Sequence, residues 1–298
     1  MDMGLLKLFE RFLLVNRFGL MLFPFLAKHA SRFLLAKAPL ALTDLEFPVS
    51  AANSYSLISE KNSASYNNVM KRLIRYIGAG SFGPKKHWEY PWVLSNLHLR
   101  PNMRVLDAGC GQSPIQFCLA DLGCEVHGID PAEDVEWHGL NRDLNKRFGT
   151  EIKYRRDSME SISYPNDFFD RVCSVSVIEH CIDQTVDRTD SQQTIKADRK
   201  LRKRMMNEMV RVLKPGGLLV ITVDYYIPRK NPNEPPIVDV ADMMSIKSAR
   251  IYGNRCKEPF PGEEGFDYLT LISNPDIYIS DYFDTLQTSI GFVMQKKD

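Results

Sequence analysis

The sequence has almost no net charge and no closely spaced cysteines. Its 298 residues contain 38 lysines and arginines against 37 aspartates and glutamates, which gives a formal net charge of +1. Nucleic-acid-binding domains normally show a strong basic excess, so this balance argues against DNA as a partner without excluding a local basic patch. None of the six cysteines forms a Cys-x-x-Cys pair, and no Cys/His quartet has zinc-finger spacing. We therefore predict reduced cysteines and no metal site, in a cytoplasmic protein.

The chain also lacks a hydrophobic run long enough to cross a bilayer, even in its apolar first forty residues. The longest uncharged run there, 18–27, is interrupted by Pro24, whereas a spanning helix needs about twenty apolar residues. Charges recur through the apolar part, so a signal peptide is not indicated. Residues 1–42 carry six basic and two acidic side chains. Two interpretations stay open: packing against the rest of the chain or in a homodimer, or a basic amphipathic segment at a membrane surface.

One glycine-rich turn, in VLDAGCGQSP (residues 105–114), is typical of a nucleotide site. Gly109 and Gly111 can adopt backbone conformations that other residues avoid, and the helix that follows offers unpaired N–H groups. No Gly-Lys-Ser/Thr follows, which excludes a P-loop, and the third glycine of the dinucleotide motif is missing. Asp130 ends the next predicted strand, where a carboxylate can accept both hydroxyls of a ribose. The turn by itself leaves the nucleotide undecided.

Strand-like and helix-like segments alternate from residue 105 onward. The predicted strands are RVLDAGC, EVHGIDP, EIKYRRDS, RVCSVSVIEH and GGLLVITVDY, and YFDTLQTSIGFVMQKK is predicted as the closing hairpin strand. Helices are predicted at IQFCLADLG, at 201–213, at 65–77 and from near Pro91. This alternation predicts an α/β fold with a doubly wound, mostly parallel sheet.

Five segments, taken in order, resemble the class I S-adenosylmethionine-dependent methyltransferases over about residues 100–225. They are VLDAGCGQS, VHGIDP, RRDSME, FDRVCSVSVIEH and MVRVLKPGGLLVIT. The resemblance implies a Rossmann-like methyltransferase fold with a seven-stranded sheet. It assigns 81–298 to the catalytic domain, with acceptor-side insertions at about 183–200 and 227–280, and leaves 1–80 as a helical N-terminal extension.

The resemblance also implies which residues bind S-adenosyl-L-methionine. They comprise the glycine turn, the ends of the second and third strands, and one residue after the fourth: Asp107, Gly109, Cys110, Gly111, Asp130, Pro131, Asp157, Ser158, Met159 and Ser176. An alternative for Asp157 is a cap on a strand-end turn. The chain departs from the family at Ser113, where many members have glycine, and this leaves the path of the turn open.

Methyl transfer to a hydroxyl requires alignment of donor and acceptor and removal of a proton. His180 is the first candidate base and Glu179 the second, because both follow the fourth strand at the edge where such folds bind ligands. An orienting role for His180 stays open. The candidate acceptor contacts, with strand-end packing as the alternative, are Tyr90, Asp224, Tyr225 and Tyr226.

No Asn/Asp-Pro-Pro-Tyr motif follows the fourth strand, which disfavours amide or exocyclic-amine acceptors. We therefore expect O-methylation of a small molecule, with a carbohydrate or lipid-linked acceptor suggested by the charge pattern. The alternatives are a protein or RNA methyltransferase, or a non-catalytic protein that binds S-adenosylmethionine. Five of the six residues 199–204 are basic. This run is either a solvated helix face or a contact for acidic headgroups or a phosphorylated acceptor, so peripheral attachment at a membrane remains a second prediction for the location.

Overall fold

The computed structural model describes residues 40–47, 51–76, 85–111, 113–131, 135–183, 185, 191–228, 240–256, 278–280 and 285–298. Almost all of the basic apolar segment 1–42 lies outside these ranges, as does most of the predicted insertion 227–280. The predictions of membrane contact or dimer formation through that segment therefore fall outside the described residues.

The described strands form one sheet with mixed directions. Its strands are β1 (Ser54–Tyr55), β2 (Arg104–Ala108), β3 (Glu125–Asp130), β4 (Lys153–Arg156), β5 (Phe169–Val175), β6 (Leu213–Pro228), β7 (Ala249–Ile251), β8 (Tyr278–Ser280) and β9 (Thr285–Lys296). Seven strands follow the order β1-β9-β6-β5-β2-β3-β4, and β7 and β8 also pair with β9. Strands β2 to β6 run parallel to one another, whereas β9 runs antiparallel to β6. The predicted doubly wound α/β fold and its closing antiparallel strand are confirmed.

Helices connect and cover the strands. They are α1 (Ile58–Lys61), α2 (Ala64–Leu73), α3 (Lys86–Asn96), α4 (Ile115–Asp121), α5 (Val135–Phe148), α6 (Ser191–Val212) and α7 (Val240–Met244). Single turns of 3-10 helix lie at Leu42–Leu45, Ile74–Tyr76 and Ile178–His180. No helix within the described ranges is both long and apolar enough to span a membrane.

Three boundaries differ from those predicted. Helix α3 begins at Lys86 and contains Pro91, because the buried Trp88 and Trp92 fix it against the sheet despite the proline. Helix α6 begins at Ser191 and so includes part of the predicted insertion at 183–200. Strand β1 lies in the segment predicted as a helical extension, yet it pairs with β9 as part of the sheet.

Two apolar clusters cover the two faces of the sheet. Leu106, Leu219 and Met206 belong to one cluster, whereas Val105 and Trp92 belong to the other. Successive strand residues point to opposite faces, so β2 contributes to both clusters. Because both faces are covered by helices and their connections, the edge at the carboxyl ends of the parallel strands is the accessible place for a ligand.

All six cysteines are free, and four of them are buried in this packing. Burial raises the pKa of the Cys118, Cys124 and Cys181 thiols above the usual range, so they remain protonated at neutral pH. They behave as small apolar side chains within the two clusters.

Candidate functional site

The carboxyl ends of the parallel strands bring the predicted site residues to one edge of the sheet. Asp107 lies near the end of β2, Asp130 ends β3, Asp157 follows β4 and Ser176 follows β5. Asp224 lies on β6 beyond its last pairing with β5. Parallel strands place such residues side by side although the chain separates them by more than a hundred positions.

The glycine turn is held against the end of β3 by its own backbone. The N–H groups of Gly109 and Cys110 both donate to the Ile129 carbonyl at 2.9 Å, and the Gly111 N–H donates to Asp130 Oδ2 at 3.1 Å. Gly109 has φ +73°, and a Cβ there would lie 2.4 Å from Cγ1 of Val177. Only glycine therefore fits at position 109 without displacement of its neighbour.

A second glycine leaves an open space at the same turn. Gly111 has φ +41°, and no heavy atom lies within 4 Å of the position that a Cβ would take. The Gln116 amide, from the first turn of α4, donates to the Cys110 carbonyl at 2.6 Å and to the Gly111 carbonyl at 3.3 Å. The turn is thus fixed by its neighbours but open on the side where a ligand could approach the backbone.

Asp107 is buried beneath this turn with one oxygen unsatisfied. Its side chain is 2% exposed, and its Oδ2 makes no hydrogen bond with the described residues. Burial raises its pKa to about 7, so the carboxyl is partly protonated at neutral pH. A bound ammonium group, such as that of a methionine moiety, would supply the missing partner and lower this pKa again. The open turn and the unsatisfied carboxyl oxygen both fit S-adenosylmethionine.

The loop after β4 contains the residues predicted to surround the adenine. Asp157 accepts hydrogen bonds from the Ser158 N–H at 2.9 Å, from the Ser163 N–H at 2.7 Å and from the Ser163 hydroxyl at 3.2 Å. These hydrogen bonds use both carboxylate oxygens of Asp157. They are those of a turn cap, which is the alternative role that the sequence left open for this residue. Met159 is buried and Ser158 half-buried, whereas Pro131 is exposed after β3.

Three buried carboxyl groups meet beyond the end of β5. Glu89 on α3, Glu179 in the 3-10 turn and Asp224 on β6 are each at most 3% exposed. The Ser176 hydroxyl donates to Glu89 Oε1 and, at 3.5 Å, to Asp224 Oδ1. Glu179 Oε1 accepts the Asp224 N–H at 2.8 Å, whereas its Oε2 makes no hydrogen bond within the described part of the chain.

Two lysines from the start of α3 and the residue before it balance this charge. Lys85 forms an ion pair with Asp224, and Lys86 pairs with Glu89 at 2.7 Å. Burial opposes ionisation of Glu89, but the ammonium of Lys86 prevails and lowers the pKa of this carboxyl. Burial and the neighbouring Asp224 raise the pKa of Glu179 to about 8. Burial, and after it the neighbouring Glu89, also raise the pKa of Asp224, whereas Lys85 and Lys86 oppose this rise. At neutral pH the cluster therefore holds Glu179 in its protonated form.

Ser176 is held in an uncommon conformation at the centre of this cluster. Its φ is +53°, in the left-handed region that residues with a side chain rarely adopt. The Ser176 N–H donates to the Thr222 carbonyl at 3.0 Å, which fixes the backbone there. Strain of this kind persists where surrounding contacts enforce it, and it is concentrated at functional sites.

His180 lies at the solvent side of the cluster. Its side chain is 63% exposed, and its Nε2 is 4.0 Å from Glu179 Oε1, too far for a hydrogen bond. Desolvation by the surrounding protein, with a smaller contribution from the nearby lysines, lowers its pKa, so the imidazole is neutral at pH 7. A neutral and accessible imidazole can accept a proton.

Glu179, His180 and Asp224 also have ligand atoms within 4.8 Å of one another, close enough to share a metal ion. However, Lys85 already supplies a positive charge to Asp224, so a cation could bind there only if Lys85 moved away.

The three tyrosines predicted to contact an acceptor have different surroundings. Tyr90 is buried on α3 and hydrogen bonds to Ser113, which places it beside the glycine turn, and burial raises its pKa to about 12. Tyr225 is also buried, within the apolar cluster that contains Met206. Tyr226 follows in β6 opposite Gln287 of β9. The structure therefore brings Asp224 to the carboxyl cluster.

Sequence reasoning missed Lys85, Lys86 and Gln116, and it did not predict that Glu89 meets Glu179 and Asp224 in one cluster. The spacing of Lys86 and Glu89, three residues apart on a helix, was a signal for one of these ion pairs. No local signal connects Glu89 with Ser176, which is 87 residues away.

Comparison with known proteins finds a family match and several relatives. Residues 106–221 match a family model described as "Methyltransferase domain". The ubiquinone biosynthesis O-methyltransferase of Ruegeria sp. (strain TM1040) is 35% identical over 95 residues, which cover 32% of this chain and 38% of that protein. The human mitochondrial ubiquinone biosynthesis O-methyltransferase is 31% identical over 122 residues, covering 40% of this chain and 28% of that protein.

The matched region thus spans well under half the length of either relative. Among solved structures, the YcgJ protein of Bacillus subtilis aligns with a TM-score of 0.48 and 15% identity, covering 71% of this chain and 99% of that chain.

Proposed function

Residues 106–221 belong to the class I S-adenosylmethionine-dependent methyltransferases, and on this premise we propose that the chain catalyses O-methylation of a small-molecule hydroxyl. The observation that carries the proposal is the carboxyl cluster next to Ser176, at the edge of the sheet that also holds the open glycine turn and Asp107. Two curated relatives are named as O-methyltransferases, which supports oxygen as the accepting atom.

The cofactor would lie along the edge from Asp107 to Ser176. We assign Asp107 and the glycine turn (Gly109, Cys110 and Gly111) to its methionine part and Asp130 with Pro131 to its ribose. Asp157, Ser158 and Met159 are assigned to the adenine and Ser176 to the sulfonium side. When bound, S-adenosylmethionine supplies an activated methyl group on a sulfonium.

The residues beyond Ser176 would then handle the acceptor and its proton. His180 is neutral at pH 7 and exposed, so it can take the hydroxyl proton. Glu179 is protonated at pH 7 and has an unsatisfied oxygen, so it can donate a hydrogen bond that orients the acceptor. Asp224, which is paired with Lys85, lies beside Glu179. Asp224, Tyr90, Tyr225 and Tyr226 remain candidate acceptor contacts.

The finer features predicted from the sequence remain proposals. A carbohydrate or lipid-linked acceptor is suggested by the charge pattern alone and has no support from the names of the relatives. A cytoplasmic location, the domain boundary near residue 80, and membrane or dimer contact through residues 1–42 likewise remain proposals. A protein or RNA acceptor, or binding of the cofactor without transfer, would be recognised by the assays below.

Two measurements test the proposal in sequence. Calorimetric titration should show binding of S-adenosylmethionine and S-adenosylhomocysteine and no binding of NADH. Labelled methyl donor should then transfer its methyl group to a member of a set of hydroxylated aromatic, sugar and lipid-linked alcohols. Binding of NADH alone would refute the cofactor assignment. Cofactor binding with transfer only to a protein or RNA pool, or with no transfer at all, would refute the acceptor assignment.

His180→Asn tests the assignment of the base. It should reduce the rate of methyl transfer by about 100-fold, which is a typical contribution of a general base, and leave cofactor affinity nearly unchanged. His98→Asn is the matched control. His98 precedes the amino end of β2, away from the carboxyl edge of the sheet, and its pKa is also lowered, mainly by burial. Parallel losses of rate and cofactor affinity in His180→Asn would assign His180 an orienting role instead.

A further inference from the structure

One arginine near the end of α6 holds the loop that joins β4 to β5. Arg211 makes five hydrogen bonds, which equals the number of N–H donors that a guanidinium has. Its Nε and Nη2 donate to the two carboxylate oxygens of Glu208, both at 2.8 Å. Its Nη2 also donates to the Ile162 carbonyl at 2.7 Å, and its Nη1 donates to the Tyr164 carbonyl and to Asn166 Oδ1, both at 2.9 Å. All donors of this side chain are therefore committed to Glu208 and to the β4–β5 loop.

Glu208 and a second arginine add to this attachment. Glu208 Oε2 accepts the Ile162 N–H at 3.0 Å, so both backbone groups of Ile162 are held by the same ion pair. Nη1 of Arg155, on β4, donates to the Ser163 carbonyl at 2.6 Å. The three successive carbonyls 162–164 thus each accept a hydrogen bond from a guanidinium. The rigid fork of a guanidinium fixes the direction of such bonds, whereas the ammonium of a lysine is a single point on a flexible stem.

Ser163 lies at the centre of this attachment and connects it to Asp157. The Ser163 N–H and hydroxyl both donate to the Asp157 carboxylate, at 2.7 Å and 3.2 Å, and the Ser158 N–H donates to it at 2.9 Å. A carboxylate has about four lone-pair positions, so these bonds fill three and leave one. The direction of the remaining lone pair is therefore set by Ser163, whose backbone is fixed between the two carbonyls that Arg211 holds.

We propose that Arg211 is a positioning residue that sets the base selectivity of the cofactor site. It acts through Ser163 and keeps the remaining lone pair of Asp157 directed at the exocyclic group of the purine. The amino group of adenine donates to this lone pair, whereas the carbonyl of hypoxanthine presents a second acceptor and is rejected. This inference rests on the proposed assignment of Asp157 to the adenine. It also reconciles that assignment with the turn cap, because the cap leaves one position for the base.

Calorimetric affinities for two ligands that differ only in the purine base test the proposal. Wild type should prefer S-adenosylhomocysteine over S-inosylhomocysteine by about 100-fold, near the upper contribution of a hydrogen bond to a charged group. Arg211→Lys keeps the charge, but its single nitrogen cannot reach the same set of acceptors. It should lower the preference to about 10-fold by weakening S-adenosylhomocysteine, and it should leave the affinity for S-inosylhomocysteine nearly unchanged. A role in stability alone would not change this preference.

Arg171→Lys is the matched control. Arg171 also donates to three backbone carbonyls, those of Leu97, His98 and Asp170. It lies near the amino end of β5, away from the carboxyl edge of the sheet. This variant loses a comparable set of hydrogen bonds and should keep the 100-fold preference.

Two further variants test the route through Ser163. Ser163→Ala removes only the hydroxyl bond to Asp157, so it should lower the preference about threefold, and it tests the same link without a change in α6. Asp157→Asn should lower the preference at least as far as Arg211→Lys does. Addition of Arg211→Lys to Asp157→Asn should then change the preference no further, because residues that act through one contact do not have additive effects.

Four outcomes would overturn the proposal. They are an unchanged preference in Arg211→Lys, an equal weakening of both ligands in that variant, an equal loss of preference in Arg171→Lys, and a further loss when Arg211→Lys is added to Asp157→Asn. Equal binding of both ligands by wild type would refute the assignment of Asp157 to the adenine, and this inference with it. These affinities require no methyl acceptor, so failure of the proposed O-methylation would leave the result of this test unchanged.

Discussion

Replacement of Glu179 by glutamine should change how the stability of the protein depends on pH. Glu179 is 3% exposed, and burial together with Asp224 raises its pKa from 4.5 to about 8. Between these two values the folded protein holds a proton that the unfolded chain has lost. The wild-type protein therefore loses stability as pH rises through this window. Glutamine has nearly the shape of the protonated acid, can still accept the Asp224 N–H and does not titrate.

The magnitude follows from the size of the shift. Each pKa unit corresponds to about 1.36 kcal/mol, so the difference in free energy of unfolding between variant and wild type should grow by at most about 4 kcal/mol from pH 5 to pH 8. Relaxation around the charged form and rearrangement of Lys85 would reduce this value. The variant should therefore equal wild type near pH 5 and exceed it at pH 8.

Urea unfolding followed by circular dichroism at several pH values would measure this difference. Glu208→Gln is the control, because the hydrogen bond from Arg211 lowers the pKa of Glu208 and places its titration below the tested range. Its difference from wild type should stay constant between pH 5 and pH 8. A constant difference for Glu179→Gln as well would show that Glu179 is ionised at neutral pH, and the proposed hydrogen bond from Glu179 to the acceptor would then be wrong.

Two glycine substitutions provide further tests, each with a matched control. Gly109→Ala should lower the free energy of unfolding by about 2 kcal/mol more than Gly216→Ala. Both glycines have φ +73°, but only a Cβ at position 109 would meet Val177. Equal losses in urea unfolding would contradict this. Gly111→Asp should abolish calorimetric binding of S-adenosylmethionine by filling the turn and adding a negative charge. Gly149→Asp, at an equally open glycine with positive φ, should bind normally, and retained affinity in Gly111→Asp would refute the cofactor placement.

Features that depend on neighbouring residues in the chain could be predicted from the sequence. The alternation of strands and helices gave the α/β fold, because side-chain periodicity records which face of an element is buried. The glycine turn and the position of Asp130 at the end of the next strand could be predicted, because only certain residue types allow that backbone and that hydrogen bonding. Their role in cofactor binding stays a prediction. The start of α3 was wrong, since burial of Trp88 and Trp92 outweighs the local effect of Pro91.

By itself, then, the sequence determined the order of elements, the nucleotide-type turn and the edge of the sheet at which a ligand could bind. Only the tertiary structure decided which ionisable groups meet there. Glu89 contacts Ser176 across 87 positions, Lys85 reaches Asp224 across 139, and Glu179 accepts the Asp224 N–H across 45. The physical reason is that a pKa depends on burial and on charges brought close by folding, and neither quantity is encoded in the spacing of residues along the chain.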